Sequence, residues 1–311
     1  MRTGNGIIEK SRKIACLILS VLILTGCGNK PEDSPADTII SGKIHISVDE
    51  SFKPIIDAQI KVFESSFENA TIVAHYKPEA ECLKDLLNDS IRMIIITRPL
   101  SEREEKILQD SLHFRVPQGK LAYDAIAVLV NNAATDSIFD LADIRSMLKG
   151  TSRYKYKVVM DGLSATSTVR YAMDSLLKGE PFSKNVMAAK SSEGVIDYVS
   201  NNPDAIGFVG VSWIGNKEDP HQLSFLQKVK IASLECTACD SSTYVKPYQA
   251  NIAMRRYPLV RTLNYVLKEN YKGLGSGFVN FLIYERGQLI FRRAYLWPAQ
   301  MTFEVRNAGI N

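Results

Sequence analysis

The sequence predicts an α/β protein of two lobes, each a mixed, mostly parallel sheet flanked by helices, with a ligand cleft between them. Strand-like and helix-like segments alternate from Gly42 onward. The alternation runs through two successive blocks that share a grammar but not a sequence, and no internal repeat joins them. About 270 residues follow an N-terminal targeting segment, enough to bury one large or two modest cores.

Arg2, Lys10, Arg12 and Lys13 precede an uncharged, apolar run over residues 14–24. At about 1.5 Å per helical residue that run is too short for a bilayer, which takes about 20 residues, and suits the core of a signal peptide. It ends in Leu24-Thr25-Gly26-Cys27, which resembles a bacterial lipobox. The resemblance implies that residues 1–27 are a lipoprotein signal and that Cys27 becomes a lipid-bearing N-terminus; a plain signal peptide or a short core helix is the alternative. Residues 28–41 (GNKPEDSPADTIIS) have little to bury and read as a flexible tether.

Residues 42–48 alternate polar and apolar, a strand pattern. Over residues 52–67, Ile55, Ile56, Gln59, Ile60, Phe63 and Phe67 fall at helical spacing. Residues 71–76 are rich in strand formers, 79–88 read as a helix, and 93–96 suit a strand buried on both faces. Ser101 with Glu104 three residues on fits a capping box opening the next helix. Residues 121–130 (LAYDAIAVLV) form a strong strand pattern. This order points to a mostly parallel sheet with helices on both faces. In the second block, Asp140 fits the N-cap of a helix over 141–148. A strand follows at 156–160, a loop running into a helix at 164–177, a helix at 191–201, and strands at 205–209 and 228–233. Residues 258–270 and 277–284 place apolar residues at helical spacing, and 302–306 shows a last strand pattern. The expected lobes are 42–130 and 131–246, with 247–311 returning to the first, so that the chain crosses near Val130 and again over 246–256.

The chain carries 38 Lys and Arg against 34 Asp and Glu. Setting aside the four basic residues and Glu9 of the leader leaves 34 against 33, a near-neutral body. No basic cluster interleaved with aromatics is present, so a nucleic-acid partner is not expected, although one pocket needs only a few donors to hold an anion. Of five cysteines, Cys16 belongs to the leader and Cys27 is the lipid candidate. Cys236 and Cys239 favour a small-loop disulfide or idle thiols over redox or metal chemistry, because a lone C-x-x-C lacks the second pair of a structural zinc site. Cys82 has no evident partner and is expected to be buried. His45, His75, His113 and His221 show no metal-binding spacing, and neither a G-x-S-x-G elbow nor a Gly-Lys-Ser/Thr phosphate loop is present. No enzyme activity, metal or cofactor is expected.

The order of landmarks from about Gly42 to the C-terminus resembles the phosphate-specific substrate-binding proteins of ABC transporters. Residues 123–131 (YDAIAVLVN) resemble that family's central crossover strand, followed by Leu141-Ala142-Asp143-Ile144 and Leu148-Lys149-Gly150. Ser192-Glu193-Gly194-Val195 leading to residues 202–210 (NPDAIGFVG) is the most specific part. Residues 257–261 (YPLVR), 278–282 (FVNFL) and Gly287-Gln288 complete it. The resemblance implies a periplasmic-binding-protein-like fold of type II and an anion held by two short loops, one per lobe, at helix N-termini. The first loop here is Asp49-Glu50-Ser51-Phe52-Lys53-Pro54, where Ser51 and the Phe52 N–H match contacts. The second is Asp161-Gly162-Leu163-Ser164-Ala165-Thr166-Ser167, where Ser164 and Thr166 match and Ala165 replaces a glycine. Met160 or Asp161 stands where the family has an arginine; Arg98, in Thr97-Arg98-Pro99-Leu100, sits where the family has a Ser-Arg or Ser-Asp pair, and the resemblance implies that it supplies the cation.

These residue types suit an oxyanion. Helix N-termini expose unpaired N–H groups and partial positive charge, hydroxyls add donors, and an arginine adds a bidentate fork. An ionised carboxylate only accepts, so Glu79 or Asp161 could take the proton of a monohydrogen anion and repel one that carries none. The expected ligand set is therefore Ser51, Phe52, Arg98, Ser164, Ala165, Thr166 and Ser167. The expected partners are phosphate or a similar inorganic anion, ABC permease subunits, and a membrane reached through the N-terminal lipid at the periplasmic face or cell surface. The alternative keeps the fold, alters the pocket and makes the lipoprotein a sensor or a surface interaction protein.

Overall fold

The computed structural model describes residues 37–162, 166–216, 218–239 and 242–300. The leader, Cys27, Ser164, Ala165 and the strand pattern at 302–306 lie outside the described residues. No helix among the described residues is long and apolar enough to cross a membrane.

In the first block β1 (Gly42–Asp49) passes through a 3₁₀ turn (Glu50–Phe52) into α1 (Lys53–Ser66). Then come β2 (Ala70–Lys77), α2 (Glu79–Lys84), β3 (Ile91–Ile96), α3 (Glu102–Leu112) and β4 (Gln118–Asn131). The second block holds β5 (Ile138–Phe139), α4 (Leu141–Lys149), β6 (Lys157–Met160) and α5 (Ser167–Tyr171), which runs into a π-helical turn (Ala172–Leu176). It continues with β7 (Val186–Ala188), α6 (Ser192–Asn201), β8 (Ala205–Gly210), α7 (Pro220–Leu226), β9 (Val229–Ile231), β10 (Ser233–Glu235) and β11 (Tyr244–Val245). The chain returns through α8 (Gln249–Ala253), β12 (Val260–Leu267), α9 (Leu274–Ile283), α10 (Glu285–Arg293) and β13 (Trp297–Pro298).

Local chemistry sets several boundaries. The Ser101–Glu104 capping box starts α3, with both reciprocal bonds made. Gly150, at φ 71°, ends α4 in the left-handed conformation that a side chain disfavours.

The main sheet runs β2-β1-β3-β12-β4-β8-β6-β7 and is mixed. β1 is parallel to β2 and β3, and β6 to β7 and β8, while β12 is antiparallel to β3 and β4. β4 links two parts of the sheet. Its first half pairs with β12, and Ile126–Val130 pairs with β8. Ile126, Val128 and Val130 face one core, and Ala127 and Leu129 face another packed under α6. That is the two-residue period of a strand buried on both sides.

Residues 258–270 do not form the helix their spacing suggests. Val260–Leu267 is a strand at the centre of the sheet. Its pairing with β4 is irregular between Leu263 and Asn264. The irregularity moves the buried set from Arg261 and Leu263 to Asn264, Val266 and Leu267, and so imitates helical spacing. Within the stretch read as a tether, Asp37 is buried and bonded to the body. Cys236 and Cys239 are joined in a disulfide, and Cys82 is a buried free thiol whose pKa burial pushes up.

Candidate functional site

Two turns meet where β1 and β6 end. At the end of β1 Asp49 accepts from the Ser51 N–H at 2.9 Å, folding the chain so that Ser51 and Phe52 are buried ahead of α1. At the end of β6 Asp161 accepts from the hydroxyls of Thr166, at 2.9 Å, and Thr168, at 3.2 Å. Thr166 also caps α5 by accepting from the Val169 N–H at 3.3 Å. Ser167 opens α5 with its hydroxyl oxygen 3.3 Å from that of Ser51.

Arg261 of β12 faces this hydroxyl pair. It donates through Nη1 to Ser167 at 2.9 Å and through Nε to Asp124 of β4 at 2.7 Å, and its guanidinium lies 5.0 Å from the Phe52 ring. Gly210 makes room for it: a Cβ there would lie 2.9 Å from Nη2. Ser212, just after β8, donates to the Ser51 carbonyl at 2.7 Å and fixes the first turn. Three buried atoms at this centre have no hydrogen-bond partner among the described residues: Arg261 Nη2, Asp49 Oδ2 and Asp124 Oδ1. A buried polar group without a partner is costly.

The electrostatics are unusual for so small a space. Burial pushes Asp49 up to about 7, against the pull of Arg261 and with the push of Glu79. Burial likewise raises Asp124 and Asp161. The carboxylates in turn outweigh the burial of Arg261 and hold its charge firmly.

Glu79 and Arg98 are held by other partners. Glu79 accepts from the Thr97 N–H at 2.8 Å, the Thr97 hydroxyl at 2.6 Å and Arg170 Nε at 2.5 Å. Burial pushes it up, but these bonds, led by Arg170, hold it below its ordinary value. Arg98 grips Glu104 with both terminal nitrogens at 2.7 Å and touches the Pro99 carbonyl. Two more contacts join the first sequence block to the second: Arg170 Nη2 reaches the Thr97 hydroxyl at 2.6 Å, and Glu50 accepts from the Ser192 hydroxyl at 2.9 Å.

Of the residues singled out from sequence, Ser51, Phe52, Thr166, Ser167 and Asp161 come together. Arg261, Asp124, Ser212 and Arg170 were not among them. Asp124 carried a signal, a charged residue inside a run that reads as buried strand, which requires a partner; Arg261 carried none, because its run reads as a helix.

Solved structures share this fold at low identity. One, from Clostridium perfringens, is described as a phosphate ABC transporter substrate-binding protein with bound phosphate; it is 19% identical with a TM-score of 0.69, covering 83% of this chain and 100% of that one. An ABC-type phosphate transport receptor from Vibrio cholerae is 20% identical with a TM-score of 0.60, over 83% and 100% of the two chains. The same architecture extends to a Corynebacterium glutamicum OxyR mutant, at 12% identity and a TM-score of 0.55, covering 94% of this chain and 76% of that one. No curated protein matches the sequence. The family model of the PBP superfamily domain matches residues 33–286, well over half of the chain, and this protein belongs to that superfamily.

Proposed function

We propose that the protein captures a small oxyanion, phosphate, between its lobes and delivers it to an ABC permease, without catalysis. The observation that carries this reading is the meeting of Ser51 and Ser167, one from each lobe, at 3.3 Å beside a guanidinium whose Nη2 has no partner among the described residues. Hydroxyls and a half-engaged arginine can hold an oxyanion without a metal. Arg261 takes the cation role expected of Arg98, which Glu104 engages. Asp49 is better placed than Asp161 or Glu79 to accept a ligand proton. Its Oδ2 is unpartnered, whereas Thr166 and Thr168 occupy Asp161, and Thr97 and Arg170 occupy Glu79. A proton acceptor favours phosphate over sulfate, which brings no proton at neutral pH. Ser164 and Ala165 remain proposed members of the second loop. The lipobox supports an envelope protein held to a membrane by lipid on Cys27, facing the periplasm or the cell surface.

Isothermal titration calorimetry on ligand-stripped protein tests the reading. Phosphate is expected to give saturable heat, and sulfate, molybdate and tungstate weaker heat or none. The carboxylates of Asp49, Asp124 and Asp161 around one guanidinium favour a second reading, in which the pocket is altered and the protein senses or attaches. Absence of heat with all four anions would assign it that role and end the first.

A further inference from the structure

Residues 38–41 form a closed turn. The Thr38 N–H donates to the Ser41 carbonyl at 2.9 Å, the Ser41 N–H returns to Thr38 at 3.4 Å, and the two hydroxyl oxygens are 2.7 Å apart. The turn is fixed on three sides. Before it, Asp37 accepts from the Leu274 N–H at 3.0 Å and the Tyr271 hydroxyl at 2.8 Å. After it, the Gly42 N–H donates to the Asn69 carbonyl at 2.8 Å. Beneath it, Gly277 of α9 lets the backbones touch, since a Cβ there would fall 1.8 Å from the Ile39 carbonyl oxygen. A turn normally carries polar residues at its tip. This one holds out Ile39 and Ile40, 42% and 48% exposed. They border a largely apolar groove of about 310 Å³ lined also by Phe67, Asn280, Phe281, Tyr284, Glu285 and Arg286, with Tyr284 68% exposed.

We propose that this turn and groove form a foot that seats in the headgroup–acyl boundary of a lipid bilayer. The proposal rests on the reading of Cys27 as lipid-bearing. The chain from Cys27 to Asp37, at about 3.5 Å per residue, reaches no more than roughly 35 Å, so the turn is the first part of the described body that the lipid delivers to the membrane. The isoleucines suit the acyl boundary, the Tyr284 ring and hydroxyl suit the interface, and Arg286 suits lipid phosphates. A lipid on a tether holds a protein near a membrane without orienting it; a rigid apolar foot orients it as well.

The test uses the full lipid-bearing chain with Ile40→Cys labelled by an environment-sensitive fluorophore, and Tyr284→Cys as a second site. Cys82 is buried and Cys236 is bonded to Cys239, so the introduced thiol takes the label. Met187→Cys, at a position 40% exposed on β7, is the control. In phosphatidylethanolamine–phosphatidylglycerol vesicles, emission at 40 and 284 is expected to shift to the blue and to be quenched by brominated acyl chains, with neither effect at 187. Protein that stays with vesicles through a high-salt wash yet shows no shift at 40 or 284 overturns the foot and leaves the anchor standing. Protein that washes off overturns both. A shift already complete without vesicles means that this chain or a second copy covers the groove, and overturns the proposal.

Discussion

Arg261 carries most of the electrostatic weight at the meeting of the turns. It is 4% exposed, bonded to Asp124, and sits within the field of Asp49 and Asp161. Removing one partner of a buried ion pair strands the other, so Arg261→Met is expected to cost about 3–5 kcal/mol in urea unfolding and to abolish phosphate heat. Asp49 gives a pH signature of the opposite sign to ordinary acid denaturation. Its folded pKa, about 7, lies above the unfolded value of 3.8, so the folded state binds the extra proton between them. Stability from this group is present in full below about pH 4 and declines as pH rises through 7. Asp49→Asn is therefore expected to flatten the fall in melting temperature over that interval; an unchanged slope would remove Asp49 from this role. Sequence gave access to only part of this chemistry. Ser51, Thr166 and Ser167 stand before helices, where hydroxyls are readily noticed. Asp124 sits in a run that reads as strand core and Arg261 in one whose apolar spacing reads as helical, and only their spatial meeting explains why each is tolerated. Arg98 is taken up by Glu104, already marked as a capping residue, which binds it bidentately.

At the scale of elements, α5 follows the second turn directly and brings Arg170 across to Glu79 at the start of α2. Opening the lobes would separate this pair while leaving Thr97 on Glu79. Arg170→Ala is thus expected to enlarge the ligand-free protein in small-angle X-ray scattering and to weaken phosphate binding roughly tenfold, because less of the population is ready to bind. An unchanged radius of gyration would show that the pair is not a latch. The Cys236–Cys239 disulfide closes only a short loop, so reduction is expected to cost no more than about 2 kcal/mol, read as a small shift of the urea midpoint. Helices with strong periodicity or caps, such as α1, α3 and α4, were legible from sequence because local chemistry decides them. β12 was not, because the irregularity at Leu263 and Asn264 is imposed by pairing with β4, a partner some 140 residues away in sequence.

At the scale of the molecule, a ligand held by both lobes stabilises the folded state alone. Phosphate at 100 times its Kd is expected to add about 2.7 kcal/mol and to raise the calorimetric melting temperature accordingly, while sulfate at the same concentration leaves it unmoved. The two-lobed class was legible because it needs only the order of segments, not their partners.

The position of β12 between β3 and β4 has a consequence for biogenesis. Synthesis runs from the N-terminus, so β1 to β4 all leave the ribosome long before residues 260–267. Until then β3 and β4 have no strand to join them, and each shows a bare edge that invites pairing with other chains. A nascent protein of this design stays incomplete until well into the last fifth of its synthesis, and a chain kept unfinished for so long is one that a transport machinery can still thread.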